Sequence, residues 1–284
     1  MSIETIRLGI FLSIFVLVAI AEWQFPQHAR VQTRRERWMT NFGILIFDVI
    51  AVRLTVGAAA FSTAVYAQAH GWGLFNALGW PLWLEGLAAF LILDLAIYGQ
   101  HVATHAVPVL WRLHKVHHTD LDVDGSTGIR FHPVEIILSL LWKAALVAVL
   151  GVSPWVVIVY ETVLNAAAVY THGNVRIPAP LDHGLRWLFC TPDMHRIHHS
   201  VIPVETNSNY GNFLSFWDRV FGTMRRDPAK GQLGVEIGLR EHRDPTRLGL
   251  TSILAMPFAD EANAGLLNGS QTDKDGSTAD RLNP

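Results

Sequence analysis

Apolar and polar positions along this chain fall into long blocks rather than strict alternations, the pattern of helices that cross a bilayer. The first block, Ile6 to Trp23, is free of charge between Arg7 and Glu22 and lacks a small-residue cleavage site. It reads as a retained membrane helix rather than a signal peptide. A basic stretch follows, with Arg30, Arg34, Arg35 and Arg37 against Glu36. The second block predicts a membrane helix over residues 42–67, long enough for a hydrocarbon core of ~30 Å, with Asp48 and Arg53 buried against neighbouring helices. After a loop from Gln68 to Leu78 that carries no Lys, Arg, Asp or Glu, a third helix is expected over 81–99. Trp80 and Trp83 suit its interfacial anchors. Two shorter blocks, 134–150 and 155–170, joined at Gly151-Val-Ser-Pro154, predict a hairpin that enters and leaves the bilayer.

The fold class expected is therefore an all-α integral membrane protein with about four to five membrane helices and a cytoplasm-facing, histidine-rich helical cap. Composition agrees: of 284 residues, 50% are hydrophobic and only 16% charged. The net charge of −2 gives no case for nucleic acid. A single cysteine, Cys190, excludes a disulfide framework, a CxxC zinc site and an internal iron–sulfur cluster. The chain divides into a helix and basic loop over 1–35, a core region over 36–225, a polar extension over 226–262 and a tail over 263–284. That tail is rich in Asn, Gly, Ser, Thr and Asp and reads as disordered. The positive-inside rule puts the loop from Arg30 to Arg37 in the cytoplasm. Counting crossings from there places His101, the region from Arg112 to Arg130 and everything after Thr171 on the same side.

Histidine changes the picture. Of 14 histidines, 11 lie between His101 and His199, and eight of those form three boxes. The boxes are His101-Val-Ala-Thr-His105, His114-Lys-Val-His117-His118 and His195-Arg-Ile-His198-His199. Residues three and four apart share a helix face, so an HxxxH box aims two imidazoles at one point and an HxxHH box is expected to aim three. Neutral imidazole is the commonest metal-ligating side chain, and eight exceed what one ion accepts, which argues for two metals. Burying that many imidazoles without metal or partners would be costly. His172 is expected as a ninth ligand.

Polar residues inside the helices extend this reading. Asp94, Tyr98, His101 and His105 follow a 4-3-4 spacing, as do Glu161, Asn165, Ala168 and His172. Ionisable residues within membrane helices are functional candidates. Asp94 and Glu161, with Tyr98 and Asn165 on the same faces, are thus expected to orient ligand imidazoles. Asp94, seven residues before His101, is too distant to ligate the same ion, so its partner is sought on another helix or at Tyr98. His132, in Arg130-Phe-His-Pro-Val-Glu135, fits the entry of the fourth helix or a further metal contact, and Asn209 and Tyr210 are further candidates. His183 reads as a surface or loop residue and Cys190 as a small buried one. Phe213, Phe216, Trp217 and Phe221 are spaced for one helical face.

The boxes, the Arg-Phe-His-Pro-Val-Glu motif, Thr191-Pro-Asp-Met-His-Arg-Ile-His-His199 and the run Asn209-Tyr-Gly to Trp-Asp-Arg-Val-Phe-Gly-Thr223 resemble the fatty acid hydroxylase/sterol desaturase superfamily. Trp38-Met-Thr-Asn41 fits the same pattern, so the resemblance covers about residues 36–225. It implies a membrane di-iron oxygenase that hydroxylates or desaturates a lipid with O2, its ligands falling on the eight box histidines. Two iron ions are implied by that resemblance, since imidazole suits iron and zinc alike. The chain holds no Rossmann fingerprint, haem-attachment motif or cysteine cluster. Electrons must then come from a separate protein, cytochrome b5-like or a ferredoxin/reductase pair. Two other readings stay open at this point. A membrane zinc hydrolase lacks an HExxH motif and a glutamate base within the boxes, and a metal or haem carrier has no use for histidine triplets.

Overall fold

The computed structural model describes residues 3–259. Among them the only regular elements are helices: α1 (Ile3–Gln24), α2 (Arg34–Leu54), α3 (Ala59–Ala69), α4 (Leu74–Leu78), α5 (Leu82–Ala106), α6 (Pro108–His118), α7 (Pro133–Leu150), α8 (Pro154–Thr171), α9 (Ala179–Leu185), α10 (Pro192–His198), α11 (Pro203–Thr206), α12 (Phe216–Val220) and α13 (Leu250–Ala255). Four stretches are long and apolar enough to cross a membrane: Ile3–Gln24, Arg34–Leu78, Leu82–Ala106 and Pro133–Leu150. The helix expected over 42–67 is broken. Its backbone turns at 55–58, where Gly57 adopts φ +51 and the Thr55 hydroxyl donates to Ala51 O at 2.6 Å. Arg53, beside that break, is exposed rather than buried, whereas Asp48 is buried.

Small residues draw the apolar end together. Ala60 and Ala64 of α3 pack with Phe75, Ala89, Val147, Leu150, Val152 and Val157. At the corner between α7 and α8, a Cβ on Gly73 would lie 2.3 Å from Gly151 N, so both glycines are required for that approach. Three membrane charges are also paired: Glu161 of α8 accepts from Arg7 of α1 at 2.9 Å and from Lys143 of α7 at 3.2 Å.

The opposite end is polar, and it is tied through the loop after α6. Arg37 of α2 is buried and donates to both oxygens of Asp120 (2.8 and 2.7 Å), to Asp124 Oδ2 (2.5 Å) and to Asp122 O (2.8 Å). Asn41 and Arg130 extend this network, Arg130 NH1 donating to Asn41 Oδ1 at 2.8 Å. Glu22 brings α1 to the same place, accepting from Arg34 (2.6 Å), Gly125 N (2.7 Å) and Asn174 N (3.2 Å). Gly128 sits against α8, where a Cβ would meet Ala168 O at 2.4 Å. The segment expected as a loose polar extension is part of this end. Leu248, Ile253 and Met256 form one buried cluster with Ile44, Val116 and Leu121, and Ser200 bridges Ile237. Polar residues between those anchors hid the packing. The tail expected over 263–284, with residues 260–262, lies outside the described residues.

Candidate metal centre

Proline and capping residues set the helices that carry the boxes. α5 ends at Ala106 and Pro108 opens α6 at once, so His101 and His105 face His114 and His118 across a tight corner. Pro192 opens α10, and Thr191 caps it by accepting from Met194 N at 3.4 Å. α8 delivers His172 just past its last turn.

The nine histidines gather in two sets, with His101, His105, His114, His118 and His198 in one and His117, His172, His195 and His199 in the other. In each, the offered nitrogens lie within 4.8 Å of one another. The division cuts through the boxes. Each HxxHH box was expected to aim three imidazoles at one point, but it aims two, four residues apart, and sends the third to the other set. Helix geometry explains this: i and i+4 share a face, whereas i+3 and i+4 are neighbours about 100° apart. The two sets also abut, the rings of His118 and His199 stacking with centroids 4.5 Å apart.

The donor atoms fit metal ions. In the five-histidine set, all five Nε2 atoms are buried and none has a hydrogen-bond partner among the described residues. Four of the five present the other nitrogen to an acceptor: His101 Nδ1 to Tyr210 O (2.7 Å), His105 Nδ1 to Asn207 Oδ1 (3.2 Å), His114 Nδ1 to Glu135 Oε1 (2.6 Å) and His198 Nδ1 to Ser208 O (2.7 Å). Each bond fixes the tautomer with Nε2 free to ligate. In the four-histidine set, Nε2 of His172 lies 3.0 Å from that of His117, 3.0 Å from that of His195 and 3.2 Å from that of His199. One ring nitrogen cannot hydrogen-bond three others. The spacing matches neighbouring ligands at about 2.0–2.1 Å from an ion, which sit roughly 3.0–3.4 Å apart. His117 Nδ1 is held by Arg130 O (3.2 Å) and His172 Nδ1 by Ala168 O (2.6 Å).

Electrostatics favour neutral, ligating imidazoles. Burial, helped by the other imidazoles, holds His117, His118, His195, His198 and His199 well below the usual histidine range. Burial likewise lowers His172 to about 4. The sets differ in burial: every residue of the four-histidine set is buried, while His101 and His105 are only partly buried, although their Nε2 atoms are enclosed.

The other expected residues serve different ends. Asp94 accepts from Trp217 Nε1 at 2.8 Å, and its partner is on another element but is no ligand. Tyr98 bonds Thr223 Oγ1 at 2.8 Å. Glu161 is taken by Arg7 and Lys143, and Asn165 is exposed, so neither orients an imidazole. His172 Nδ1 is held instead by the backbone of its own helix, at Ala168 O. His132 caps α7, accepting from Val134 N at 3.2 Å, and its Nε2 bonds Leu254 O. Asn209, at φ +52, ties Met194 O and Arg225 O beneath α10. Tyr210 contributes its carbonyl to His101 and packs its ring on His101, His105 and His198. His183 is exposed and Cys190 buried, as expected. The aromatic run does not share one face: Phe213 points to Phe90 and Trp217 to Asp94, while Phe216 and Phe221 are exposed. Sequence reasoning missed Glu135 and Asn207 as partners of ligand rings. A carboxylate three residues after His132, at the mouth of a membrane helix, was the available signal.

An all-helical membrane bundle with nine imidazoles gathered at one end defines a histidine-box membrane protein. Residues 86–223 match the fatty acid hydroxylase family. Among curated proteins it is similar to an ornithine lipid hydroxylase of Rhizobium tropici, 27% identical over 88% of this chain and 75% of that protein. It is also similar to human alkylglycerol monooxygenase, 29% identical over 57% of this chain and 35% of that protein. A Delta(7)-sterol 5(6)-desaturase of Aspergillus fumigatus is 29% identical over 72% of this chain and 56% of its own length. The chain thus spans three quarters of the first of these relatives and little more than a third to a half of the others. No solved structure matches it.

Proposed function

We propose that this chain is a membrane-bound non-haem di-iron oxygenase that uses O2 to hydroxylate a membrane lipid. The observation that carries the reading is the pair of imidazole sets with unpartnered or converging Nε2 atoms, six of the nine Nδ1 atoms being tethered to acceptors. Histidines 101, 105, 114, 118 and 198 would hold one ion and histidines 117, 172, 195 and 199 the other. The iron pair supplies the redox chemistry that activates O2 for attack on an unactivated C–H bond. Balance requires that one oxygen atom enter the C–H bond and the other leave as water, consuming two electrons and two protons from outside. A separate electron-transfer protein, cytochrome b5-like or a ferredoxin/reductase pair, supplies those electrons.

The chain's own residues hold the ligands and shape the approach. Glu135 keeps His114 in the tautomer that presents Nε2, and Tyr210 O and Ser208 O do the same for His101 and His198. Burial of the four-histidine set excludes water from one side, while His101 and His105, which are only partly buried, mark the side from which a lipid tail would approach. By the positive-inside rule, this end faces the cytoplasm. Ornithine lipid hydroxylase aligns over most of this chain and favours hydroxylation of a polar lipid over desaturation. A zinc hydrolase would need a free carboxylate base, but Glu135 is bound to His114. Five imidazoles around one point leave no plane for a haem.

Purified protein in lipid nanodiscs, loaded with iron and given isotopically labelled O2 and a reductase system, should transfer one labelled oxygen atom to a lipid. His198→Ala should abolish this. One zinc per chain with O2-independent turnover would overturn the reading.

A further inference from the structure

One unit lies outside the histidine centre. Residues 185–190 and 213–221 pair as a hairpin: Cys190 N donates to Phe213 O (2.9 Å), Ser215 N to Leu188 O (3.0 Å) and Ser215 Oγ to Arg186 O (2.7 Å). The Arg219 guanidinium lies over the Trp187 ring, 4.4 Å from its centroid. One side of the hairpin packs on α5 and α8. The Phe213 ring meets Phe90 at 5.7 Å, Trp217 Nε1 donates to Asp94 at 2.8 Å, Phe221 stacks on Tyr98 at 5.5 Å and Asn212 Nδ2 donates to Leu164 O at 3.3 Å. Its other side presents Trp187, Leu188, Phe216 and Val220, between 44% and 69% exposed, and Phe221, stacked on Tyr98 by one face, is 55% exposed at the edge. Five large apolar side chains exposed on one small unit mark a surface made for a partner or a membrane.

Depth decides between them. α7 has 18 residues, which at 1.5 Å each is only ~27 Å, against a hydrocarbon core of ~30 Å. If α7 crosses, the hydrocarbon extends over its whole length, from the Gly151 corner to His132, and tilt only lengthens that demand. His132 stands at the level of the ligands, since the neighbouring Phe131 ring stacks on His117 at 4.4 Å. Phe90, Asp94 and Tyr98 come eleven, seven and three residues before His101, so they lie roughly 16, 10 and 5 Å closer to the apolar end. The hairpin therefore attaches to α5 at hydrocarbon depth. The polar groups it brings there are paired, as hydrocarbon requires: strand-like bonds join its two arms, and the Trp217 indole meets Asp94.

We propose that this hairpin is inserted in the leaflet on the histidine side of the bilayer, its partner the acyl chains of that leaflet. Leu188, Phe216, Val220 and Phe221 contact lipid tails, and the stacked Trp187–Arg219 pair marks the headgroup boundary, where amphipathic rings and cations settle. The insertion stands apart from the metal chemistry. Combined with the oxygenase reading, it makes a line of rings from lipid to ligands: Phe221 to Tyr98 (5.5 Å), Tyr98 to Tyr210 (6.3 Å) and Tyr210 to His105 (5.1 Å).

Site-directed spin labelling of the full chain in lipid nanodiscs tests this directly, because the sole cysteine is buried and gives little background labelling. Labels at Leu188 and Val220 should be more accessible to dioxygen than to an aqueous nickel complex, like a control label at Leu87 on the exposed side of α5. A label at the exposed Lys230 should show the reverse ratio. As a second measurement, Trp187→Phe should remove part of the fluorescence quenching by brominated lipids. Ratios at Leu188 and Val220 matching Lys230 would overturn the insertion. Labels shielded from both reagents would overturn it too, and would assign the face to a second copy. These readouts do not depend on turnover, so a failed oxygenase assay leaves them intact.

Discussion

Replacing His172 by alanine separates a ligand from a core histidine. His172 lies outside every box, and its Nε2 is placed 3.0, 3.0 and 3.2 Å from three other imidazole nitrogens. The variant leaves three nitrogens in the buried set and all five in the other. Loss of a residue that merely orients a ligand costs about 10–100-fold in metal affinity. Loss of the ligand itself should exceed that, at roughly 3 kcal/mol or more. Iron should therefore fall from about two to about one per chain, because two ions of unequal fate are what nine imidazoles divided five and four require. The assay is iron stoichiometry with Mössbauer spectroscopy on protein purified in nanodiscs, with His132→Ala as control. His132 caps α7 and should lose about 1 kcal/mol of stability while keeping both irons. Two irons and an unchanged spectrum in His172→Ala, or equal metal loss in both variants, would refute the division into two sets.

Four further outcomes are expected. Glu135→Gln keeps an acceptor for His114 Nδ1 but loses its charge, so iron affinity should fall about 10–100-fold with the bundle intact, as read by iron titration and circular dichroism. Arg37→Met leaves Asp120 and Asp124 buried without their cation and should cost about 3–5 kcal/mol in denaturant unfolding; a loss below ~1 kcal/mol would show that the pairing is not structural. Asp94→Asn retains an acceptor for the Trp217 indole and should keep its iron, whereas Asp94→Leu strands a buried donor and should lose about 1–3 kcal/mol. Acid should destabilise the metal-free protein, because His117, His118, His172, His195, His198 and His199 take up protons less readily folded than unfolded. Stability is then full above the unfolded value of 6.5 and falls as pH drops toward about 4, where folded His172 titrates, by about 1.4 kcal/mol per pH unit for each histidine. A Tm of metal-free protein that stays flat between those limits would contradict it.

The amino-acid sequence by itself determined the helical class, most of the membrane stretches and the gathering of the histidines at one end of the bundle. Long apolar blocks and i, i+4 spacing are local properties, so each was legible without knowing what packs against what. Pro133 and Pro154 marked helix starts for the same reason. The partition of the histidines was decided by tertiary structure. Spacing along α6 and α10 says that His114 shares a face with His118, and His195 with His199. Only the crossing of those helices with α5 and α8 says that His198 joins the first pair and His117 the second. The roles of the membrane carboxylates were hidden for a related reason. Asp94 and Glu161 occupy like positions on helices that lead to a histidine, yet a buried charge takes whichever partner lies nearest in space. For Glu161 that is Arg7, 154 residues away, and for Asp94 it is Trp217, 123 residues away, separations over which no periodicity in the sequence carries information.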